Sequence, residues 1–315
     1  MFIQKLKSYL PNHVINNKHF TELNGLSDEW ILSRTGIRER RKASEGENTN
    51  SLGIEALKLL EADPPFPLSE IDLIVAGTYT PYDSIHTLAH AAQRYLNLKD
   101  IPVVSISTAC ASFVNAMEIV EGYFALQKAR RALVIVADHN TRYSDERDKM
   151  SGHLWGDGAS ALLLSAEKIE QENNWEVLDI ISRGGGHLGK ADEGVVLRAV
   201  DEGFVMNNGR DVFINACQYM ESITRDILAK NKLSISDIRF FVPHQANLRI
   251  TQHVGKALGL EDKQVLSNIQ YLGNTGCAGC SIALYEHQKT FQKNDLIAVT
   301  VFGGGYAYGA LLLRI

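Results

Sequence analysis

A cysteine, a histidine and an asparagine in this 315-residue chain have the types and settings needed for nucleophilic attack on a carbonyl group. Cys110 lies in Thr-Ala-Cys-Ala-Ser, where residues 103–118 read as a buried strand that turns through small residues into a helix. The free N–H groups and dipole at a helix N-terminus favour a thiolate, so Cys110 is a candidate nucleophile. The alternative is a buried thiol that only packs, as lone cysteines often do.

The histidine and the asparagine are predicted at comparable places. His244 follows the apolar residues 240–243, and Asn274 lies in the turn at 273–275. Proteins with α/β folds keep their chemistry at strand ends. A single histidine there is more often structural, but Cys, His and Asn at three strand exits favour an active site.

Apolar segments of strand length alternate with helical segments along the chain. The predicted strands include 71–77 and 132–137, and residues 155–164 are predicted to form a glycine turn that enters a further strand. The predicted helices include 27–34, 50–61 and 88–96. Ser27 is the expected N-cap of the first of these helices. The alternation predicts an α/β architecture with largely buried strands.

Short motifs of the first half return in the same order in the second half. The matching pairs are 68–73 with 233–238, 96–100 with 258–262, 108–112 with 275–279, and 156–164 with 305–313. Four ordered matches predict two similar halves around a pseudo-two-fold axis. We expect a site at their junction, with Cys110 near the turn that carries Asn274.

Composition limits the class of protein. A net charge of −5 and a pI near 6.1 argue against a general nucleic-acid-binding surface. Four cysteines do not suggest a disulfide framework, so a reducing cytoplasm is expected. The N-terminal residues lack the apolar core of a signal peptide, and no apolar run is long enough for a membrane span.

Four motifs together resemble one enzyme family. They are Thr-Ala-Cys-Ala at 108–111, Val-Pro-His-Gln-Ala-Asn-Leu-Arg-Ile at 242–250, Gly-Asn-Thr-Gly at 273–276 and Phe-Gly-Gly-Gly at 302–305. The chain in this respect resembles the β-ketoacyl-ACP synthase III enzymes of the thiolase superfamily, which start fatty-acid synthesis. The resemblance implies a thiolase fold, with two pseudo-symmetric βαβαβαββ halves in five αβαβα layers, paired as a homodimer. We place the halves at 1–165, which carries the cysteine, and at 166–315, which carries the histidine and asparagine.

The resemblance also implies a mechanism. Cys110, His244 and Asn274 match the catalytic triad, in which Cys110 takes an acyl group from acyl-CoA. Malonyl carried on acyl carrier protein (ACP) then loses CO2 against His244 and Asn274, and its carbanion attacks the acyl group. The backbone N–H groups of Cys110 and Gly304 are the expected oxyanion hole. A CoA thioester is then a substrate, and no permanently bound cofactor or metal is expected.

Further residues match binding positions of the family. Trp30 and Arg34 match the positions that hold the CoA adenine. Other matches to the CoA-binding positions are Lys149, Gly209, Phe213 and Asn247. Arg249 and Lys256 match the basic surface that receives the acidic carrier protein. The acyl-pocket positions are Ile85, His86 and Trp155.

Two places depart from the usual pattern of the family. Ile85 and His86 replace a Phe-Pro pair that is contributed across the dimer, which predicts room for a longer acyl chain. Lys149-Met150 replaces Arg-Gly at the CoA phosphate site, and lysine lacks the bidentate fork of arginine. The alternative function is therefore a specialised ketosynthase of secondary metabolism, such as one that forms dialkylresorcinols. Such an enzyme uses medium or long acyl chains and is loaded from CoA or from ACP.

Two other interpretations, from different classes of protein function, stay open. Cys277 and Cys280 form a Cys-x-x-Cys pair, which occurs in redox proteins and in zinc sites, although one such pair is weak evidence. A catalytically silent subunit that binds carrier protein is the other reading. Subunits of that kind generally lose a triad residue, and none is missing here.

Overall fold

The computed structural model describes residues 1–170, 174–201 and 203–315. The strands are β1 (Phe2–Tyr9), β2 (His13–Asn16), β3 (Glu39–Lys42), β4 (Leu73–Gly77), β5 (Val103–Ile106), β6 (Arg131–His139), β7 (Asp157–Ser165), β8 (Trp175–Gly184), β9 (Val196–Arg198), β10 (Gly203–Val205), β11 (Phe240–Pro243), β12 (Leu296–Gly303) and β13 (Ala307–Arg314). The helices are α1 (Asn17–Asn24), α2 (Asp28–Thr35), α3 (Thr49–Glu61), α4 (Leu88–Tyr95), α5 (Ser112–Ala125), α6 (Ala191–Gly194), α7 (Gly209–Lys230), α8 (Leu248–Leu258), α9 (Ile269–Leu272) and α10 (Gly279–His287). The predicted alternation of strands and helices is confirmed.

The strand order shows the two halves directly. One sheet has the strand order β11-β12-β13-β8-β1-β7-β6-β4-β5. On either side of the contact between β1 and β8 the strands correspond in order, β1, β7, β6 and β4 to β8, β13, β12 and β11. In both halves a parallel pair, β4 with β6 or β11 with β12, continues into an antiparallel neighbour. In the second half the counterpart of β5 is reduced to a single bridge between Phe241 and Val265. The predicted pseudo-symmetry is therefore confirmed.

Helices form three layers around the two halves of this sheet. α3 and α4 pack on the first half, whereas α7 and α8 pack on the second. α5 and α10 lie in the central layer, and α5 contacts β4 and β6 of one half and β8 and β13 of the other. This is the predicted five-layered arrangement. The division at residues 165 and 166 stays a proposal, and it falls at the end of β7.

Local sequence explains the helix starts that matter for the site. The Ser27 hydroxyl accepts the N–H of Trp30 at 3.2 Å, which confirms the predicted cap of α2. Asn48 and Ser51 form a reciprocal capping box at α3. α8 begins with the side chain of Asn247 accepting the N–H of Arg249 at 2.9 Å. The caps at Ser27 and Asn247 set where α2 and α8 begin.

Candidate active site

A cavity of about 240 Å³ lies where the two halves meet. Cys110 and Trp155 line it from the first half, and His244, Asn274 and Gly304 line it from the second. The residues that the motifs predicted to act together thus line one cavity. They lie at the junction of the two halves, where the sequence predicted a site.

The cysteine sits in a strained turn that other residues hold in place. Ala109 has φ +48°, a left-handed conformation that is costly for a residue with a Cβ. The buried Ser112 hydroxyl accepts the N–H of Thr108 at 2.9 Å and donates to the carbonyl of Ala109 at 2.7 Å. This brace presents the half-buried Cys110 to the cavity at the start of α5.

The prediction that the helix start favours a thiolate is wrong for the resting thiol. Burial raises the pKa of Cys110 to about 12, and the negative charge of Asp138 raises it further. Hydrogen bonds from the Tyr79 side chain and the backbone act in the opposite direction. The N–H groups of Ala111 and Ser112 are bonded to carbonyls within the turn, at 3.0 and 3.1 Å, so they do not stabilise the sulfur.

The backbone nitrogen of Cys110 faces β12. A Cβ added at Gly303 would lie 2.7 Å from the Cys110 nitrogen, so only glycine leaves the space beside this N–H free. Gly304 also lines the cavity, and a Cβ there would approach the Val195 carbonyl at 3.1 Å. The role of Cys110 and Gly304 as oxyanion donors stays a prediction, and Gly303 is a neighbour that sequence reasoning missed.

His244 is held as a neutral imidazole. It is 4% exposed, and burial lowers its pKa to about 4. Its backbone N–H donates to Thr300 of β12 at 2.7 Å. The next residue, Gln245, is fully buried and ties the segment to its surroundings by donating to the Pro243 carbonyl at 2.6 Å and accepting from the Asn268 N–H at 3.0 Å.

The amide of Asn274 has a defined orientation. Its Oδ1 accepts the N–H of Gly276 at 3.0 Å, which leaves the NH2 group as the donor that the side chain can offer to the cavity. Its backbone is clamped by the Leu154 carbonyl at 2.8 Å and the Gly156 N–H at 3.0 Å. Gly276 has φ +63°, and a Cβ there would lie 2.2 Å from Asp138. This turn therefore requires glycine next to the asparagine.

A buried carboxylate that sequence reasoning missed joins the two halves beneath the cavity. Asp138 is fully buried and accepts from the hydroxyls of Thr78 and Thr80, both at 2.9 Å. It also accepts the backbone N–H of Tyr79 at 3.1 Å and that of Cys277 at 2.7 Å. Burial raises its pKa to about 6, while these hydrogen bonds act to lower it. No short motif marks it, because its partners are far apart in the sequence.

A second missed feature is a hairpin over the cavity. β9 and β10 pair in antiparallel fashion, and Leu197 and Phe204 from them line the cavity together with Val195 and Met206. The Phe204 N–H donates to the Tyr143 carbonyl at 2.9 Å, which ties the hairpin to the first half. The segment contributes apolar wall, a role that only its three-dimensional position reveals.

The predicted adenine pair is in direct contact. The guanidinium of Arg34 lies 4.8 Å from the centroid of the Trp30 ring. This stacking leaves no space for an aromatic base between the two side chains, so an adenine can enter only when Arg34 moves. His153 packs against Trp30 edge to face, with ring centroids 5.4 Å apart.

Three other predicted CoA-binding residues lie around α7 and α8, whereas Lys149 lies between β6 and β7. Asn247 caps α8, and its amide NH2 also donates to the Arg34 carbonyl at 3.1 Å, which joins α8 to α2. Gly209 begins α7, and Phe213 on the same helix lies under the Arg249 guanidinium at 6.0 Å. The neighbouring cavity residues Val212, Ala246 and Ile250 lie on this side. The CoA-binding role of Asn247, Gly209 and Phe213 stays a prediction.

Several predicted residues lie at the surface. Lys149, Arg249 and Lys256 are exposed. Ile85 is 86% exposed, and His86 beside it is also exposed, so neither belongs to the cavity wall of the single chain, whereas Trp155 does. The proposed contribution of Ile85 and His86 across a dimer stays a prediction.

The Cys-x-x-Cys pair has a packing role. Cys277 and Cys280 are 1% exposed and free, and the Cys277 thiol donates to the Gly77 carbonyl at 3.4 Å. Within the described ranges, no group of three or more His, Cys, Asp or Glu residues is placed to hold a metal ion. Across the same part of the chain, no helix is both long and apolar enough to cross a membrane.

Comparison with known proteins places the chain in a family. A family model described as 3-oxoacyl-[acyl-carrier-protein] synthase III matches residues 104–184, and its C-terminal model matches 228–315. β-Ketoacyl-[acyl-carrier-protein] synthase III of Rhodospirillum centenum is 34% identical over 311 residues, covering 98% of this chain and 96% of that protein.

Solved structures agree with this placement. 3-Oxoacyl-[acyl-carrier-protein] synthase III from Aquifex aeolicus VF5 superposes with a TM-score of 0.91 at 32% identity, covering 100% of this chain and 99% of that one. The priming β-ketosynthase of the R1128 polyketide pathway has a TM-score of 0.88 at 26% identity, covering 99% and 95%. The identity, the coverage and the shared thiolase fold show that the chain is an enzyme of the β-ketoacyl-ACP synthase III family.

Proposed function

We propose that the enzyme condenses a Cys110-bound acyl group with malonyl-ACP to give a β-ketoacyl-ACP, the reaction that initiates fatty-acid biosynthesis. The observation that carries the proposal is that Cys110, His244 and Asn274 line one cavity. The donor of the first acyl group is an acyl-CoA. No permanently bound cofactor takes part.

The first half-reaction is acyl transfer to the thiol. Because its pKa is about 12, Cys110 must lose its proton during the attack, and His244, which shares the cavity, relays this proton toward the CoA sulfur without holding it, since its own pKa is about 4. The tetrahedral oxyanion is held by the N–H groups of Cys110 and Gly304. Collapse releases the CoA thiolate, which takes the proton from His244 and leaves as free CoA.

The second half-reaction is decarboxylation and condensation. As malonyl-ACP loses CO2, negative charge develops on its thioester oxygen. The NH2 group of Asn274 and an imidazole N–H of His244 donate to that oxygen, and the low pKa of His244 keeps the imidazole neutral in this role. The carbanion attacks the acyl carbonyl and the bond to the Cys110 sulfur breaks. The β-ketoacyl-ACP leaves, and the Cys110 thiolate takes a proton from solvent.

The carrier protein is proposed to dock at the basic residues beside the entrance. Arg249 and Lys256 are exposed on α8, whose N-terminal end borders the cavity through Ala246 and Ile250. Exposed cations attract an acidic partner and raise its association rate. Charge reversal, as Arg249→Glu with Lys256→Glu, is expected to raise KM for malonyl-ACP and leave acylation by acyl-CoA unchanged.

The enzyme is proposed to be cytoplasmic. It is also proposed to form a homodimer in which the β5 strands of two protomers pair. β5 ends the large sheet, and within the described residues its outer edge has no strand partner. Its side chains Val103, Val104 and Ile106 are only half-buried, and Ile85 nearby is 86% exposed. Pairing two β5 strands would cover this edge and bring Ile85 and His86 toward the partner. Light scattering tests the dimer, and a monomer at micromolar concentration would refute it.

A specialised ketosynthase is the second candidate. The observation that favours it is the likeness to the R1128 priming β-ketosynthase, together with Ile85-His86 and Lys149-Met150 at the departing positions. Acylation by a series of acyl-CoAs and acyl-ACPs separates the two functions. Preference for acetyl-CoA supports initiation of fatty-acid synthesis, and preference for medium or long chains supports the specialised role.

A further inference from the structure

Three aromatic side chains form one wall of the cavity beside Cys110. Tyr79, Trp155 and Phe204 all line it, and they come from the loop after β4, the segment before β7, and β10. The Trp155 and Phe204 rings meet edge to face with centroids 4.1 Å apart, and Tyr79 lies 5.9 Å from Phe204. We call these three residues the aromatic wall. The cavity-lining residues that α7 and α8 contribute pack in a different hydrophobic cluster.

Tyr79 is fixed at both of its ends. Its backbone N–H donates to Asp138 at 3.1 Å, and its hydroxyl donates to Asn140 at 2.7 Å. Asp138 and Asn140 are both fully buried. Asn140 in turn donates to the Asn274 carbonyl at 3.2 Å. The ring therefore cannot swing aside without breaking a buried hydrogen bond, which is costly.

Packed protein lies directly behind the Tyr79 hydroxyl. A Cβ added at Gly276 would come within 2.5 Å of the hydroxyl oxygen, so the backbone of the Asn274 turn fills the space beyond it. An acyl chain that grows from Cys110 toward the aromatic wall has no continuing channel at this point. The residues predicted to bind CoA, Gly209, Phe213 and Asn247, lie on the side toward α7 and α8.

We propose that the Tyr79 ring limits the acyl group that Cys110 accepts to short chains such as acetyl and propionyl. This inference rests on the proposed function only for the identity of the substrate, because the limit itself is a property of the cavity. It differs from the expectation of longer chains from Ile85 and His86, because Tyr79 lines the cavity within the single chain, whatever those two residues contribute across the proposed dimer.

A test that needs no catalysis uses methyl, butyl and octyl methanethiosulfonates. The Cys110 sulfur forms a disulfide with the alkylthio group, the S–S bond of the reagent breaks, methanesulfinate leaves, and the thiol proton goes to solvent. Intact mass follows the rate, and Cys110→Ala assigns the site, since the other three cysteines are buried. Displacing a hydrogen-bonded ring should slow the octyl reagent about tenfold or more relative to the methyl reagent.

Two variants separate the ring from the hydroxyl. Tyr79→Ala removes the ring and is expected to react with octyl and methyl reagents at similar rates. Tyr79→Phe keeps the ring and is expected to keep the wild-type dependence on length. Tyr79→Val replaces the alanine variant if that protein does not fold. Equal octyl and methyl rates in the wild type, an unchanged profile without the ring, or a phenylalanine variant that behaves like alanine would each overturn the proposal.

The same length series as acyl thioesters tests the proposed function separately. If every acyl-CoA and acyl-ACP fails to label Cys110 while the methanethiosulfonate profile holds, the proposed function is refuted and the limit set by Tyr79 stands. If thioesters label Cys110 without regard to chain length, the enzyme is an acyltransferase and the limit is refuted.

Discussion

Gly303→Ala is expected to block the proposed oxyanion site while leaving the side chains of Cys110, His244 and Asn274 unchanged. The added Cβ would lie 2.7 Å from the Cys110 nitrogen and 3.1 Å from that of Ala111. An oxyanion bound to the Cys110 N–H sits about 2.7–3.1 Å from the same nitrogen, so the methyl group takes its place. Loss of one such donor costs about 10²–10³ in rate, or about 2.7–4 kcal/mol. We expect that loss in both half-reactions, because in both the acyl carbonyl bonded to the Cys110 sulfur becomes a tetrahedral oxyanion.

The assay is the rate of acyl-Cys110 formation by intact mass, with a thermal melt of each protein to show that it is folded. Gly122→Ala is the matched control, because Gly122 lies in α5 and a Cβ there meets nothing within 4 Å. This control should keep its activity and gain about 0.5–1 kcal/mol in free energy of unfolding. A folded Gly303→Ala protein that acylates Cys110 at the wild-type rate would refute the oxyanion site.

Three further predictions concern single residues. Because the pKa of Cys110 is about 12, the rate of its alkylation by iodoacetamide should keep rising with pH beyond about 8.5, the ordinary pKa of a thiol. A rate that stops rising near neutral pH would show a resting thiolate. Asn274→Asp keeps the acceptor for the Gly276 N–H but removes the NH2 donor, so malonyl-ACP decarboxylation should fall about 10²–10³-fold while Cys110 acylation persists. Unimpaired release of CO2 would contradict this role. Asn247→Ala removes the cap of α8 and should lower the free energy of unfolding in urea by about 0.5–2 kcal/mol more than Asn247→Ser, which keeps a cap and loses only the bond to the Arg34 carbonyl; equal stability of both variants would count against the cap.

The fold and the meeting of Cys110, His244 and Asn274 in one cavity were predictable because their signals are local. Cys110, His244 and Asn274 each lie in a short motif at the exit of an apolar segment, and the repeated motifs relate one half to the other. Hydrophobic runs and caps such as Ser27 are likewise read over a few residues. The layered arrangement follows once two such halves must bury their strands on both faces.

The features that were missed depend on contacts between distant residues. Asp138 accepts from Cys277 across 139 positions, and Tyr79 reaches Asn140 across 61, so no motif contains either pair. The thiolate prediction was wrong for a related reason. It counted the helix N-terminus, which is local, and omitted the burial and the Asp138 charge, which arise only in the folded protein.

In the proposed reaction, Cys110 carries an acyl group, which malonyl-ACP then removes by condensation. The direct measurement is intact mass after incubation with acetyl-CoA, followed by addition of malonyl-ACP, with Cys110→Ala in parallel. We expect an acetyl adduct on the wild type alone, and we expect malonyl-ACP to remove it and form a β-ketoacyl-ACP. An adduct that survives in Cys110→Ala, or one that malonyl-ACP leaves in place, would contradict the proposed reaction.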